Sequence, residues 1–157
     1  MSAAARAADR WFQAAELTSR PLAGQSQLRK VLRSTLAENA ETGIGFIDDQ
    51  PVVLAIDGER LICARPVDPA ADGADAVIAV DSLPLDRPMR VAVSFSQREF
   101  PHGRFMVRTW TLGEPGPGAV RIDTRSVVSQ FHQIDDGGNA LLEQVAARLG
   151  WQLPGVS

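Results

Sequence analysis

Residues 51–64 read PVVLAIDGERLICA, and this stretch decides the fold. Two apolar runs, 52–56 and 60–64, flank Asp57-Gly58-Glu59. An Asp-Gly pair between apolar runs is a strong hairpin signal, because the tight turn needs positive φ and glycine supplies it without a steric cost. The hairpin predicts antiparallel pairing, and the chain on both sides continues the pattern. Residues 43–47 form a short opening strand, followed by a turn at Asp48-Asp49-Gln50-Pro51. Downstream, 76–80, 89–95, 104–112, 119–123 and 127–132 are β-prone runs punctuated by Asp72-Gly73, His102-Gly103 and the glycine-proline tract 113–118.

Within these runs the alternation assigns faces. Val91, Val93 and Phe95 oppose Arg90, Ala92 and Ser94, as in a half-buried antiparallel strand. Phe105, Val107, Thr109 and Thr111 oppose Arg104, Met106, Arg108 and Trp110. Three stretches read as loops: 66–75, rich in Pro, Ala and Asp; 81–88, where Pro84 and Pro88 argue against a regular strand interior; and 97–104, which carries His102.

Helical periodicity brackets the strands. Ala4, Ala8, Trp11 and Ala15 share a face in 3–18, which ends before Pro21. In 26–40, Ser26 suits an N-cap, Leu28, Val31, Leu32, Thr35 and Leu36 make an apolar stripe, and Gly43 stands where a C-terminal cap belongs. In 140–149, Leu141, Leu142, Val145 and Leu149 form one face and Gly150 ends the helix. The expectation is a single α+β domain over 1–157: a helical hairpin (1–42), a bent antiparallel sheet or partly open barrel of about six or seven strands (44–133), and a C-terminal amphipathic helix (139–150). Helices from the two ends should cover the apolar side of the sheet.

A chain of 157 residues, 45% hydrophobic and 22% charged, is enough for one ordinary globular core. No apolar run approaches the ~20 residues of a membrane helix. Asp9 and Arg10 fall where the centre of a signal peptide would be apolar. We therefore expect a cytoplasmic protein without a transmembrane segment. Cys63, the single cysteine, makes no internal disulfide and reads as an inert core thiol. One lysine against fifteen arginines is the codon signature of a GC-rich bacterial genome. The net charge of −3 singles out no electrostatic partner. Arg6, Arg10, Arg20, Arg29, Lys30 and Arg33 make the first forty residues basic, which we read as a solvated helix face and not as a nucleic-acid site.

No catalytic constellation emerges. His102 and His132 lie in no HExxH pattern or histidine cluster, and zinc would need three or four ligands. Asp48-Asp49 suits a turn better than a cation site, which needs several converging oxygens. The 113–118 tract lacks the Gly-Lys-Ser/Thr ending of a phosphate loop. We expect no catalytic residues, no metal and no cofactor; the enzymatic alternative would use His102 or His132 as general base. Arg90, Arg104 and Arg108, with His102 nearby, are candidates for an anion-binding patch. Trp11, Phe12 and Trp151 are candidates for an interface, where aromatic residues are enriched.

The hairpin of 52–64, the strands that follow to His132 and the closing helix 140–149 resemble, in element order, the bacterial PH-like domains. That resemblance implies a bent barrel plugged at one end by its last helix, and a role in protein binding. The phosphoinositide pocket of that family needs a basic first turn, whereas Asp57-Gly58-Glu59-Arg60 is mostly acidic, so no lipid headgroup is expected here. Two other architectures are alternatives: the helix-grip fold, whose usual opening strand is missing here and which implies an apolar or anionic small ligand between sheet and helix, and a secretion-chaperone-like dimer. The leading expectation is a non-catalytic module that binds a protein partner, or a second copy, through sheet or helix surface.

Overall fold

The computed structural model describes residues 2–16, 25–67, 77–100, 103–114, 116–127 and 137–150. Helix α1 spans Ala3–Glu16 and α2 spans Gln25–Thr35. Seven strands follow: β1 Glu41–Ile47, β2 Gln50–Asp57, β3 Arg60–Val67, β4 Val77–Pro84, β5 Val91–Phe100, β6 Gly103–Leu112 and β7 Val120–Val127; α3, Gly138–Arg148, closes the order. The strands form one antiparallel sheet in the order β4-β3-β2-β1-β7-β6-β5. The sheet is open, with β4 and β5 outermost. The α+β architecture with two N-terminal helices and one C-terminal helix is the expected one.

Two features of the sequence shape the helical layer. Ala4, Ala7, Ala8, Ala14 and Ala15 are all buried, so α1 presents a face of methyl groups that lets it lie close to the sheet. Trp11 completes that face, and its indole Nε1 donates to the Pro51 carbonyl at 2.9 Å. Leu28 and Leu32 of α2 are buried beside it, and Arg29 of α2 reaches Asp9 of α1 at 3.0 Å. The second helix ends at Thr35, short of the expected residue 40. Ser34 and Thr35 both turn their hydroxyls onto the Val31 carbonyl, at 2.9 and 2.7 Å. Such local bonds compete with the helical backbone and favour its end. Gly43, expected as a cap, lies inside β1.

The helices occupy opposite faces of the sheet, which corrects the expectation of one covered side. Val53, Ala55, Ile62 and Ala64 pack with Ile44, Phe46 and the α1–α2 layer, whereas Val52, Leu54, Ile56, Leu61 and Cys63 pack with Trp110, Ile122 and the α3 residues Leu141, Leu142 and Val145. Burial on both faces is why β2 reads as a continuous apolar run instead of an alternating one. The prediction for 52–64 is otherwise met: Leu54 pairs with Cys63 and Asp57 with Arg60, around a turn in which Gly58 has φ 61°.

Several strand boundaries differ from expectation. β3 runs through Pro66 to Val67, into the stretch 66–75 expected as a loop, of which 68–75 lie outside the described residues. β4 continues through Asp81 to Pro84; proline is tolerated there because the strand is outermost and Pro84 is its last residue. β5 runs on to Phe100, and β6 begins at Gly103, so most of the stretch expected as a loop is hairpin ladder. Residues 120–127 are one strand, β7; 128–132 lie outside the described residues. Among the described residues, no helix is long and apolar enough to cross a membrane.

The middle of the sheet is its thinnest join. β1 and β7 share one registered pair, Phe46 with Asp123, whereas β5 and β6 pair along their whole length. Helix α3 closes the gap. Its N-cap, Gly137, and first residue, Gly138, lie against the Thr42 and Ile44 carbonyls of β1 and against Thr124 of β7. Gly137 has φ 68°, and a Cβ there would meet Thr42 O at 3.3 Å. A partly buried polar chain then secures the helix: Trp110 Nε1 donates to Thr124 Oγ1 at 3.1 Å, Thr124 bonds the Asn139 side-chain oxygen, and Asn139 Nδ2 donates to Ser126 Oγ at 2.7 Å. At its other end Arg148 donates to the Gly58 carbonyl at 2.5 Å, Leu149 caps the helix, and Gly150, expected to end it, follows the cap with φ 93°.

Candidate functional site

Two places on the molecule gather side chains that the core does not consume. The first surrounds the β1–β2 turn. Ile47 pairs with Gln50, so Asp48 and Asp49 are the two loop residues of the hairpin, and both have positive φ, 53° and 61°. This is the turn geometry that matches strand twist, and Asp tolerates it better than most residues. Beside the turn is an open hollow of about 180 Å3 lined by Phe46, Asp48, Asp49, Arg98, Arg121 and Asp123. Asp49 receives Arg125 at 3.3 Å and Arg98 at 3.5 Å. Asp123 accepts from Thr109 Oγ1 at 2.7 Å.

Arg125 belongs to the interior more than to the hollow. Its side chain is 6% exposed, and its guanidinium stacks on the Phe46 ring at 3.7 Å and the Phe100 ring at 4.1 Å. A planar, weakly hydrated guanidinium suits this sandwich as an ammonium would not. Since Phe46 is on β1, Arg125 on β7 and Phe100 on β5, the stack ties the two halves of the sheet together opposite α3. The charges around the turn therefore balance one another across the join. Among the described residues, no group of three or more His, Cys, Asp or Glu side chains is arranged to hold a metal.

The second place is the outer end of the sheet on the α3 side. Helix α3 packs on β1, β2 and β7. Farther out, Phe95 of β5 and Met106 of β6 are 60% and 39% exposed. Phe95 pairs with Arg108 and Gln97 with Met106, so Phe95 and Met106 are diagonal neighbours on one face. The Arg108 guanidinium lies 5.4 Å from the Phe95 ring centroid and donates to Glu143 of α3 at 2.8 Å. The alternation of 104–112 already placed Met106 and Arg108 on one face of their strand; that Phe95 shares this face follows from the β5–β6 register. Their exposure was the missing signal, because it depends on how far α3 reaches.

The three arginines expected to converge do not meet at one point. Arg90 faces Glu114 at 3.7 Å, Arg104 faces Glu99 at 2.7 Å, and Arg108 faces Glu143. Arg104 and Arg108 do share a face, as their spacing requires. Neither the hollow at the β1–β2 turn nor two others, lined respectively by residues including Arg33 and Leu36 and by residues including Arg6 and Gln144, touches any of the three. His102, His132 and Trp151 lie outside the described residues. Trp11 is 5% exposed, and Phe12 is half-buried against the α1–α2 cluster, so the first presents almost no surface and the second only part of its ring. Cys63 is buried, and its thiol is pushed up from 9.0 to about 12, by burial first and by the Asp81 carboxylate second, with Arg65 opposing. A thiol held protonated in this way is a poor nucleophile.

No protein-family model, curated protein or solved structure matches this chain.

Proposed function

We propose that the chain is a non-catalytic interaction module that holds a protein partner at the outer end of its sheet, on the α3 side of β5 and β6. The observation that carries this reading is the joint exposure of Phe95 and Met106, 60% and 39%, on paired strands and on one face. A single exposed apolar residue is unremarkable. Here two adjoin each other and an arginine stacked on one of them, and aromatic, Met and Arg side chains are the types enriched in interface centres. Glu143 and Arg108 supply a polar rim. A cytoplasmic setting belongs to the same proposal.

A photo-crosslinking residue at position 106 tests it in cells, with position 33 of α2 as an exposed control. A discrete protein adduct at 106 and none at 33 is the expected result. No adduct at 106, or the same adducts at both positions, would refute the reading.

A further inference from the structure

We propose that the partner at this end of the sheet is a second copy of the chain, joined by antiparallel pairing of β5 with β5 about a two-fold axis through Phe95. The inference rests on the interaction reading above and names its partner.

The two margins of the sheet differ in how they are guarded. Natural edges are protected by charges, prolines and short strands. β4 carries Asp81 in its middle and ends in Pro84. β5 offers ten residues of edge, with no proline, no lysine and no charge before Arg98. The side chains of Ala92, Ser94, Phe95, Ser96, Gln97, Arg98 and Glu99 are exposed. Among the described residues β5 pairs with β6 alone.

Self-pairing of β5 has few acceptable registers. A two-fold axis perpendicular to the sheet keeps faces in common, so a residue must oppose one of the same parity. With the axis through Ser94, Arg90 would oppose Arg98, a like-charge pair that destabilises a sheet. With the axis through Phe95, the opposed pairs are Phe95 with itself, Ser94 with Ser96, Val93 with Gln97, Ala92 with Arg98 and Val91 with Glu99. No like charges oppose, and the exposed ring of each copy covers that of the other. Met106 and the stacked Arg108 flank the ring pair on the same face. Registers centred farther along the strand take the two rings out of direct opposition and set Phe95 against a polar or charged residue. The patch and the edge are thus satisfied by one operation. An edge-strand interface falls below the roughly 1,200 Å2 of stable complexes, so a weak and reversible association is expected.

Sedimentation over a wide concentration range, on the full chain, is the first test. The expected result is a reversible monomer–dimer equilibrium that weakens at least tenfold in Phe95→Lys, which sets two lysines opposite each other. Register is read from cysteine pairs. Ser94→Cys and Ser96→Cys proteins should cross-link on oxidation when mixed, because opposed Cα atoms lie about 4.5–5.5 Å apart. Ser94→Cys alone should not cross-link, since the axis leaves its two copies about 8 Å apart. Cys63, 8% exposed in the core, stays out of the reaction. A monomer at all concentrations, or a dimer without the mixed cross-link, would overturn the proposal. A monomer that still yields a foreign adduct at position 106 leaves partner binding standing and removes only self-pairing; a monomer with no adduct removes both.

Discussion

Gly138→Ala tests whether α3 is wedged into the join between β1 and β7. A Cβ at this position would collide with the Ile44 carbonyl oxygen and come within 3.2 Å of both the Ile44 carbonyl carbon and Thr124 Cγ2. The obstacle is backbone of a central strand, so no rotamer change relieves it and the helix must lift. Overpacking of this kind costs about 1–3 kcal/mol. Lifting the helix also strains the Asn139 bonds to Thr124 and Ser126, each worth about 1 kcal/mol. Alanine returns at most about 1 kcal/mol of helix propensity. The net expectation is a loss of about 2–4 kcal/mol, or a fall in Tm of about 4–16 °C for a chain of this size. Denaturant unfolding followed by fluorescence suits the case, because Trp110 is fully buried and bonded to Thr124. The control is Gly58→Ala: φ is 61° but nothing lies within 4 Å of a Cβ, so the cost is that of backbone strain alone, about 1–2 kcal/mol. Gly138→Ala within about 0.5 kcal/mol of the parent chain, or no costlier than Gly58→Ala, would refute the wedge.

Three further outcomes are expected. Burial pushes the Cys63 thiol up from 9.0 to about 12 in the fold, so the unfolded chain loses this proton first as pH rises; the contribution of Cys63 to stability should be constant below pH 9 and fall between about pH 9 and 12, at up to about 1.4 kcal/mol per pH unit. The chain has no tyrosine, and Cys63→Ala should flatten the slope in urea midpoints measured against pH. Arg125→Lys keeps the charge but loses the planar stack on Phe46 and Phe100, and should cost about 1–3 kcal/mol by the same unfolding assay; an unchanged midpoint would deny the stack any structural role. Asp48 sits in the turn at φ 53°, and among the described residues its carboxylate makes no hydrogen bond or ion pair, so Asp48→Asn should be neutral or stabilise by up to about 1 kcal/mol, and a clear loss would show that the carboxylate has a partner.

The parts of this fold that were legible in sequence are those governed by local chemistry. Asp57-Gly58 set the β2–β3 hairpin, alternation in 104–112 assigned the faces of β6, and the Leu141–Leu149 stripe marked α3. The errors came from context that local patterns do not carry. Pro84 reads as a strand breaker until β4 is known to be an edge. Gln97–Phe100 reads as a loop because its side chains are polar, yet polar side chains are what an exposed edge strand carries. Gly43 resembles a cap because sequence alone does not show that Gly137 and Gly138 press against the same stretch of β1. The candidate site was less legible still. Arg108 was singled out for its charge, but its surroundings, the Phe95 ring and Glu143, come from a strand thirteen residues before it and a helix thirty-five after it.

Stability and the proposed interaction fall on different parts of one sheet. β1, β2 and β3 are covered on both faces, and the contacts that join the half-sheets, Gly138 on Ile44 at one face and Arg125 between Phe46 and Phe100 at the other, all gather at the β1–β7 join. The margins carry what is left over: Val77 and Val80 on β4, Phe95 and Met106 at β5–β6. Replacing an exposed side chain at a margin changes folding stability little, commonly within about 0.5 kcal/mol. An open sheet arranged in this way lets its outer strands vary for binding without loosening the join that holds the halves together. A closed barrel has no such margin, because every strand in it is paired on both sides. The openness of the sheet is therefore the structural condition on which the interaction reading depends.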